Sequence, residues 1–345
     1  MKIWFDILTP KQLLFFEPMI KELRKKHQVI CTSRNYREVN KLAKMRKLNL
    51  IFVGKHGGGE NYHKLNASIQ RMNLLSKIIK KQIPDITVSL CSPEAARVSF
   101  GLGIKHIAFS DSPHAQAVMK LSIPLVQKLL IPWVIPKEEF TKFGIDSKNI
   151  TQYKAIDAAL IAKHKIQNKI KLPFNKKSKK IILIRVEEDQ AAYTLKNKSK
   201  IIPIIKAVIK EFRNEEIVIL GRYPAQIKFL SKTFGKKINI LKKVVDGKAL
   251  LTNVDIFLGS GGTMTAESAL LGVPTISYNA VPNFIENYLV KQKLVKRETN
   301  PKKIVHAIKL LIRNSNVKNQ KRAKKALDSM EDPFKKLVKV MKTMD

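Results

Sequence analysis

Asp255-Ile-Phe-Leu-Gly-Ser-Gly-Gly-Thr-Met-Thr-Ala-Glu-Ser-Ala-Leu-Leu-Gly-Val-Pro-Thr-Ile-Ser-Tyr278 is the stretch that decides how the rest of the chain is read. It encodes a buried strand, a Ser260-Gly261-Gly262 turn, a helix beginning near Thr263 and a second strand after Gly272-Val273-Pro274. Glycines let backbone approach a ligand closely, and a fresh helix offers unpaired N–H groups with partial positive charge, so the turn suits a diphosphate. Thr263 and Thr265 add hydroxyl donors. Glu267 lies about one turn into the helix, where a carboxylate can accept hydrogen bonds from a ribose diol. The plain alternative is an ordinary strand-to-helix turn capped by Thr263. A carboxylate in a helix otherwise made of Ala, Leu and Ser favours the ligand.

Working outward, short apolar β-branched runs alternate with amphipathic segments along the whole chain, the pattern of parallel sheets wound with helices. Strands are expected at Lys2–Leu8, Val29–Ser33, Leu50–Val53, Ile86–Leu90, His106–Ser110, Leu130–Ile135 and Asn149–Tyr153. A helix is expected from Pro10 to Lys26, and Ser92-Pro93-Glu94 opens another. Residues 163–180 hold eight lysines and read as a solvated linker. The alternation then restarts with Lys180–Val186, Glu216–Leu220, Ile238–Leu241, Asp255–Gly259 and Thr275–Tyr278. The expected organisation is an α/β fold of two Rossmann-like doubly wound domains facing a cleft. An acceptor-side domain covers 1–162, a basic linker 163–180, a donor domain 181–317 and a basic helical tail 318–345, the tail packing back on the first domain.

Length and composition agree: 345 residues with 44% apolar content suit two globular domains. The greasiest stretch, Leu121–Pro136, is broken by Lys128 and by prolines, and so falls short of a membrane span. No leader is visible at the N-terminus, and Cys31 and Cys91 sit in apolar runs as reduced core thiols, which places the chain in the cytoplasm. The net charge of +39 favours anionic partners. The excess is mostly lysine spread along the chain. It reads as compositional bias or as peripheral contact with an anionic inner membrane surface, and the absence of arginine–aromatic interleaving speaks against nucleic acid.

Other segments add candidates. Gly54-Lys-His-Gly-Gly-Gly59 is expected to form an exposed mobile loop whose Lys55, His56, Gly57 and Gly58, with Thr9 of the first loop, could meet an acceptor or phosphate, or else a plain surface turn. Asp111 and His114 follow the strand His106–Ser110 and make the minimum kit for a general base, although Asp before Ser-Pro is also an ordinary helix cap. Arg185 ends the first strand of the second half and is placed to pair with donor phosphates, with Glu187 orienting it and Arg222 as a weaker second. No metal-ligand spacing, no Asp-x-Asp and no nucleoside-triphosphate loop is visible, so chemistry without metal or cofactor is expected.

Ser-Gly-Gly-Thr-x-x-x-Glu-x-x-x-x-Gly-x-Pro resembles the donor segment of GT-B enzymes, including the non-hydrolysing UDP-N-acetylglucosamine 2-epimerases and the N-acetylglucosaminyltransferase of peptidoglycan synthesis. Thr9-Pro10-Lys11 with Glu17–Leu23 resembles the first loop and helix of the epimerases. Trp4–Pro10, Gly54–Gly59, Phe109–Ala115, Arg185–Glu188 and Gly261–Thr265 resemble an uncharacterised, mainly archaeal family expected to have the GT-B fold. These resemblances imply a nucleotide-diphosphate sugar as partner and a glycosyltransferase as the leading function. The alternatives are a sugar-nucleotide 2-epimerase and a non-catalytic module binding an anionic ligand. Against the epimerase, Leu90-Cys91-Ser92-Pro93 stands where that family has a catalytic aspartate, and Arg185-Val-Glu-Glu188 has no histidine.

Overall fold

The computed structural model describes residues 1–164, 179–187, 201–221, 223–241, 245–278, 283–314 and 316–344, and all but the side chains of Arg37 and Lys236 within them. The described residues form two compact units, the first from 1–160 and 331–344, the second from 161–330.

The first unit contains β1 (Lys2–Ile7), α1 (Pro10–Leu23), β2 (Gln28–Asn35), α2 (Arg37–Met45), β3 (Ile51–Lys55), α3 (Asn61–Gln82), β4 (Ile86–Ser89), α4 (Pro93–Gly101), β5 (Lys105–Phe109), α5 (Gln116–Ser122), β6 (Lys128–Pro132), α6 (Glu138–Thr141), β7 (Ile150–Tyr153) and the start of α7 (Asp157–Lys163). Its strands pair in the order β3-β2-β1-β4-β5-β6-β7, all parallel. Burial on both faces explains why β1 is almost uninterruptedly apolar. Trp4, Ile30 and Val53 pack with Leu75 and Ile79 of α3 and Ala95 and Val98 of α4. On the opposite face Phe5 meets Phe16 edge-on at 5.3 Å, and Phe15 meets Phe109 at the same distance.

The second unit contains β8 (Ile181–Arg185), α8 (Ile201–Glu211), β9 (Glu216–Leu220), α9 (Pro224–Phe234), β10 (Asn239–Leu241), α10 (Gly247–Leu251), β11 (Ile256–Gly259), α11 (Thr263–Leu270), β12 (Thr275–Ser277), α12 (Phe284–Lys291), β13 (Val295–Arg297), α13 (Pro301–Arg313) and α14 (Val317–Asp328). The order is β10-β9-β8-β11-β12-β13, again parallel. Ile182 and Ile184 pack with Ile204 and Val208 of α8 and Ile304 and Ile308 of α13. Leu183, Val218 and Phe257 face the other way, onto Leu250 and Leu251.

Four helices start with the same local device, a polar cap followed by proline. Thr9 accepts from the N–H of Gln12, Ser92 from that of Ala95, Asn300 from those of Lys302 and Lys303, and Asp332 from that of Phe334. The following proline supplies a helical φ and lacks the N–H that would otherwise be orphaned.

Several expectations change. The sixth strand is Lys128–Pro132, because the chain turns at Trp133, whose N–H reaches the Tyr153 carbonyl at 2.9 Å. β13 was not expected: Lys296 and Arg297 are exposed and only Val295 is buried, so no apolar run marks this edge strand. The tail is split between the units. α14 packs on α11, while α15 (Pro333–Lys342) packs on β6 and β7 with Leu337 and Met341 buried. Most of the expected linker, 165–178, lies outside the described residues. Cys31 and Cys91 are free and buried, and burial pushes both thiols up to about 12. Iodoacetamide should leave both unmodified in the folded chain and alkylate both in denaturant, read by intact mass. Among the described residues no helix is long and apolar enough to cross a membrane.

Candidate functional site

Each sheet reverses its winding once, between β1 and β4 in the first unit and between β8 and β11 in the second. At such a point the neighbouring crossovers run to opposite faces and leave a crevice at the carboxyl ends of the strands.

In the second unit that crevice is bordered by the ends of β8 and β11, and therefore by Arg185 and the glycine turn. Gly261 has φ +92°, a left-handed conformation that glycine adopts without strain. Its N–H donates to Thr265 Oγ1 at 3.2 Å, so the Thr265 hydroxyl first of all holds the turn. Gly262 is the N-cap residue of α11; no side chain caps the helix there, and space is open where a Cβ would stand. Ser260 and Thr263 flank it half-buried. Glu267 is buried, its Oε2 3.7 Å from the position of a Cβ on Gly247, the first residue of α10. Arg185 turns one guanidinium nitrogen towards β9. Its Nη1 donates to the carbonyls of Leu220 (3.3 Å) and Gly221 (2.8 Å), on the β9 side of β8 and away from β11. Glu187 meets Tyr278, whose hydroxyl lies 2.8 Å from Glu187 Oε2 and 2.9 Å from the Arg185 carbonyl. Arg222 lies outside the described residues.

In the first unit Thr9 caps α1 and so has a structural task. The Gly54–Gly59 segment is folded down rather than free. A Cβ on Gly57 would stand 2.6 Å from Lys64 Cα, and His56 Nδ1 accepts from the Gly58 N–H at 2.9 Å while its ring faces Tyr36 at 5.5 Å. Lys55 is exposed, and Gly58 has open space beside it.

Asp111 is not a bare carboxylate. Lys11 Nζ lies 2.5 Å from its Oδ2, and the Ser112 hydroxyl donates to its Oδ1 at 2.8 Å. Lys11 also lies 2.9 Å from Asp157 Oδ2, an ion contact outside hydrogen-bond alignment, while the Tyr153 hydroxyl donates to Asp157 Oδ1 at 2.5 Å. Burial works against charge at all three ionic groups. The two carboxylates nevertheless push Lys11 up, Lys11 holds Asp111 below its ordinary value, and burial beside Asp111 pushes Asp157 up. His114 is pushed below its ordinary value by burial, against the pull of the Asp111 charge. Its imidazole is therefore neutral at pH 7. An NMR titration should place the His114 midpoint below 6.5, and Asp111→Asn should lower it further by removing the charge that favours imidazolium.

Beneath this edge lies a fully buried polar cluster. Arg71 on α3 donates from Nη1 to Asp6 Oδ2 (3.1 Å) and from Nη2 to Asp6 Oδ1 (2.5 Å). Thr32 and Ser92 each donate to Asp6 at 2.6 Å, and Trp4 Nε1 donates to Thr32 at 2.7 Å. Ser92, in the turn after β4, thus binds the acid of β1. Arg34, at the end of β2, has a buried Nε without a hydrogen-bond partner, and burial pushes its guanidinium down.

Residues 1–344 match the family described as "Protein of unknown function (DUF354)". The chain belongs to that family. An uncharacterised protein of Methanocaldococcus jannaschii is 26% identical to this DUF354 protein over 314 residues, 89% of this chain and 90% of the other. Among solved structures, a Listeria monocytogenes protein assigned as a UDP-N-acetylglucosamine 2-epimerase superposes with TM-score 0.76 at 15% identity, over 96% of this chain and 93% of the other. The Methanocaldococcus jannaschii UDP-N-acetylglucosamine 2-epimerase, in complex with UDP-N-acetylglucosamine and UDP, gives 0.70 at 18%, over 99% and 100%. The spinosyn rhamnosyltransferase complexed with thymidine diphosphate gives 0.65 at 11%, over 99% and 99%. These likenesses show the fold: two parallel-sheet Rossmann-like domains of the GT-B kind.

Sequence spacing did not single out four residues that the DUF354 structure brings to these edges: Lys11, Tyr153, Asp157 and Arg34. Only Lys11 carried a sign, its place in Thr9-Pro10-Lys11. Tyr278 was read as a strand end, yet its hydroxyl spans the end of β11 to reach β8.

Proposed function

We propose that this chain binds a nucleotide-diphosphate sugar at the carboxyl edge of its second sheet and uses it as a glycosyl donor. The observation that carries the reading is the open start of α11 at the point where the second sheet reverses: a left-handed Gly261, an exposed Gly262 and no side-chain cap. First-turn N–H groups and the helix dipole favour a diphosphate there. Ser260 and Thr263 would add hydroxyl contacts, and Glu267 would meet the ribose. Arg185 would release its two carbonyls to reach the phosphates.

In the transfer an acceptor hydroxyl attacks the anomeric carbon, the bond from that carbon to the phosphate oxygen breaks, and the diphosphate leaves with both bonding electrons. Preorganised helix amides stabilise the leaving group. The candidate general base in the first unit is His114, whose imidazole burial holds below its ordinary value, whereas Asp111 is paired with Lys11. Among the described residues no group of His, Cys, Asp and Glu is gathered to hold a metal ion.

The test is calorimetric titration with UDP, GDP, ADP, CDP and dTDP and their sugar conjugates, with Glu267→Ala alongside. Micromolar binding of one nucleotide, weakened about tenfold or more in the variant, supports the donor site. No binding by any of them ends the reading. Turnover sorts the alternatives. A transferase releases nucleotide diphosphate when an acceptor is present, an epimerase inverts the sugar without acceptor, and a binding module does neither.

A further inference from the structure

α3 is unusual among the helices of the first unit in what it turns outward. Its inward face carries Arg71, Leu75 and Ile79, all buried. On the outer side of its first half stand Tyr62, Leu65 and Ile69, exposed by 66%, 60% and 51%. Their spacing places them on one stripe. Ile51, at the start of the edge strand β3, lies on the sheet face that α3 covers and is 42% exposed. An ordinary surface helix shows polar groups here.

The charges around the stripe say what it fits. None of the residues of α3 is Asp or Glu, although its N-cap Glu60 pairs with His63 at 2.8 Å; Lys77, Lys80 and Lys81 lie along its second half, and Lys55 lies in the neighbouring segment. A second copy of the chain would bring +39 against +39, with no carboxylate on the helix to answer the lysines. A bilayer surface containing anionic lipid offers both an apolar layer and negative headgroups. α9 and α13 expose one large apolar residue each, Phe229 and Leu310, and the two basic helices of the tail lack one half of this combination. α15 buries its apolar face, Leu337, Val340 and Met341, and α14 buries Ala323 and Ala326 while exposing Val317 as its one large apolar group.

We propose that the outer face of α3 docks on an anionic membrane surface, with Tyr62, Leu65 and Ile69 of its first half entering the headgroup–acyl boundary and Lys77, Lys80 and Lys81 of its second half meeting lipid phosphates. The proposal stands independently of the nucleotide-sugar reading. The test is co-sedimentation of the full chain with vesicles of phosphatidylcholine alone and of equal parts phosphatidylcholine and phosphatidylglycerol. The comparison is a Tyr62→Ser, Leu65→Ser, Ile69→Ser variant, checked by circular dichroism and melting to be folded. Wild type should bind the mixed vesicles and little of the neutral ones, and the variant should bind the mixed vesicles at least about tenfold more weakly. The variant keeps the full positive charge, so equal binding by both proteins would mean general charge attraction and overturn the proposal. Absence of wild-type binding would overturn it too. So would a wild-type dimer in sedimentation velocity that the variant converts to monomer, which would assign the stripe to a second copy.

Discussion

Arg71→Leu should destabilise the first unit by about 3–5 kcal/mol, the usual cost of leaving one partner of a buried ion pair uncompensated. Asp6 is fully buried, and its oxygens are shared among Arg71, Thr32 and Ser92. The two hydroxyls cannot neutralise it. Urea denaturation followed by tryptophan fluorescence reads the loss directly, because Trp4 Nε1 is bonded to the same cluster through Thr32. The pH dependence has opposite signs in the two proteins. In wild type Arg71 holds Asp6 below its ordinary value of 3.8, against the effect of burial. Its contribution is then fully present above about 3.8 and is lost as pH falls through the depressed folded value. In Arg71→Leu burial is opposed by the Thr32 and Ser92 hydroxyls and by the nearby Arg34 charge, but no longer by a bonded guanidinium, and Asp6 should rise above 3.8. The deficit should therefore be largest at neutral pH and shrink as pH falls towards 4, where protonation removes the charge. A deficit independent of pH would show that Arg71 acts by packing alone.

Gly262→Asp should leave the fold intact, or slightly stabilise it, while weakening nucleotide-diphosphate binding about 100-fold, or roughly 2.7 kcal/mol. Gly262 has an ordinary negative φ and open space at the Cβ position, so an aspartate fits. Aspartate is also among the best N-cap residues, and α11 has no side-chain cap. The new carboxylate would occupy the first-turn N–H groups and place negative charge where the diphosphate is proposed to lie. A rise in melting temperature together with lost binding separates this from general damage. Unchanged binding would move the anion site away from α11. Gly262→Ala, which adds bulk without charge, should fall between the two.

Much of this architecture is legible in the sequence because its signals are local. Thr9-Pro10 and Ser92-Pro93 announce helix starts, and apolar runs such as Ile181–Arg185 announce strands buried on both faces. What escapes is set by pairing across distance. Lys11 and Asp111 are 100 positions apart, and neither position shows that the other neutralises it. Arg71 carries no mark in the sequence, whereas the structure turns it inward to meet an acid from β1, 65 positions away. The triple glycine suggests looseness, but Gly57 is glycine because the first turn of α3 comes too close for a side chain. β13 escaped for the opposite reason: an edge strand needs little apolar surface.

α15 packs on β6 and β7, although α14 just before it belongs to the other unit. The unit whose strands are made first on the ribosome is thus the last to be finished. Until residues beyond Glu331 emerge, the surface that receives Leu337 and Met341 remains uncovered. The second unit, whose last residue is Met330, can close earlier. Vectorial synthesis therefore leaves the N-terminal sheet waiting for its final helix, an interval in which chaperone contact or proteolysis should concentrate on that unit.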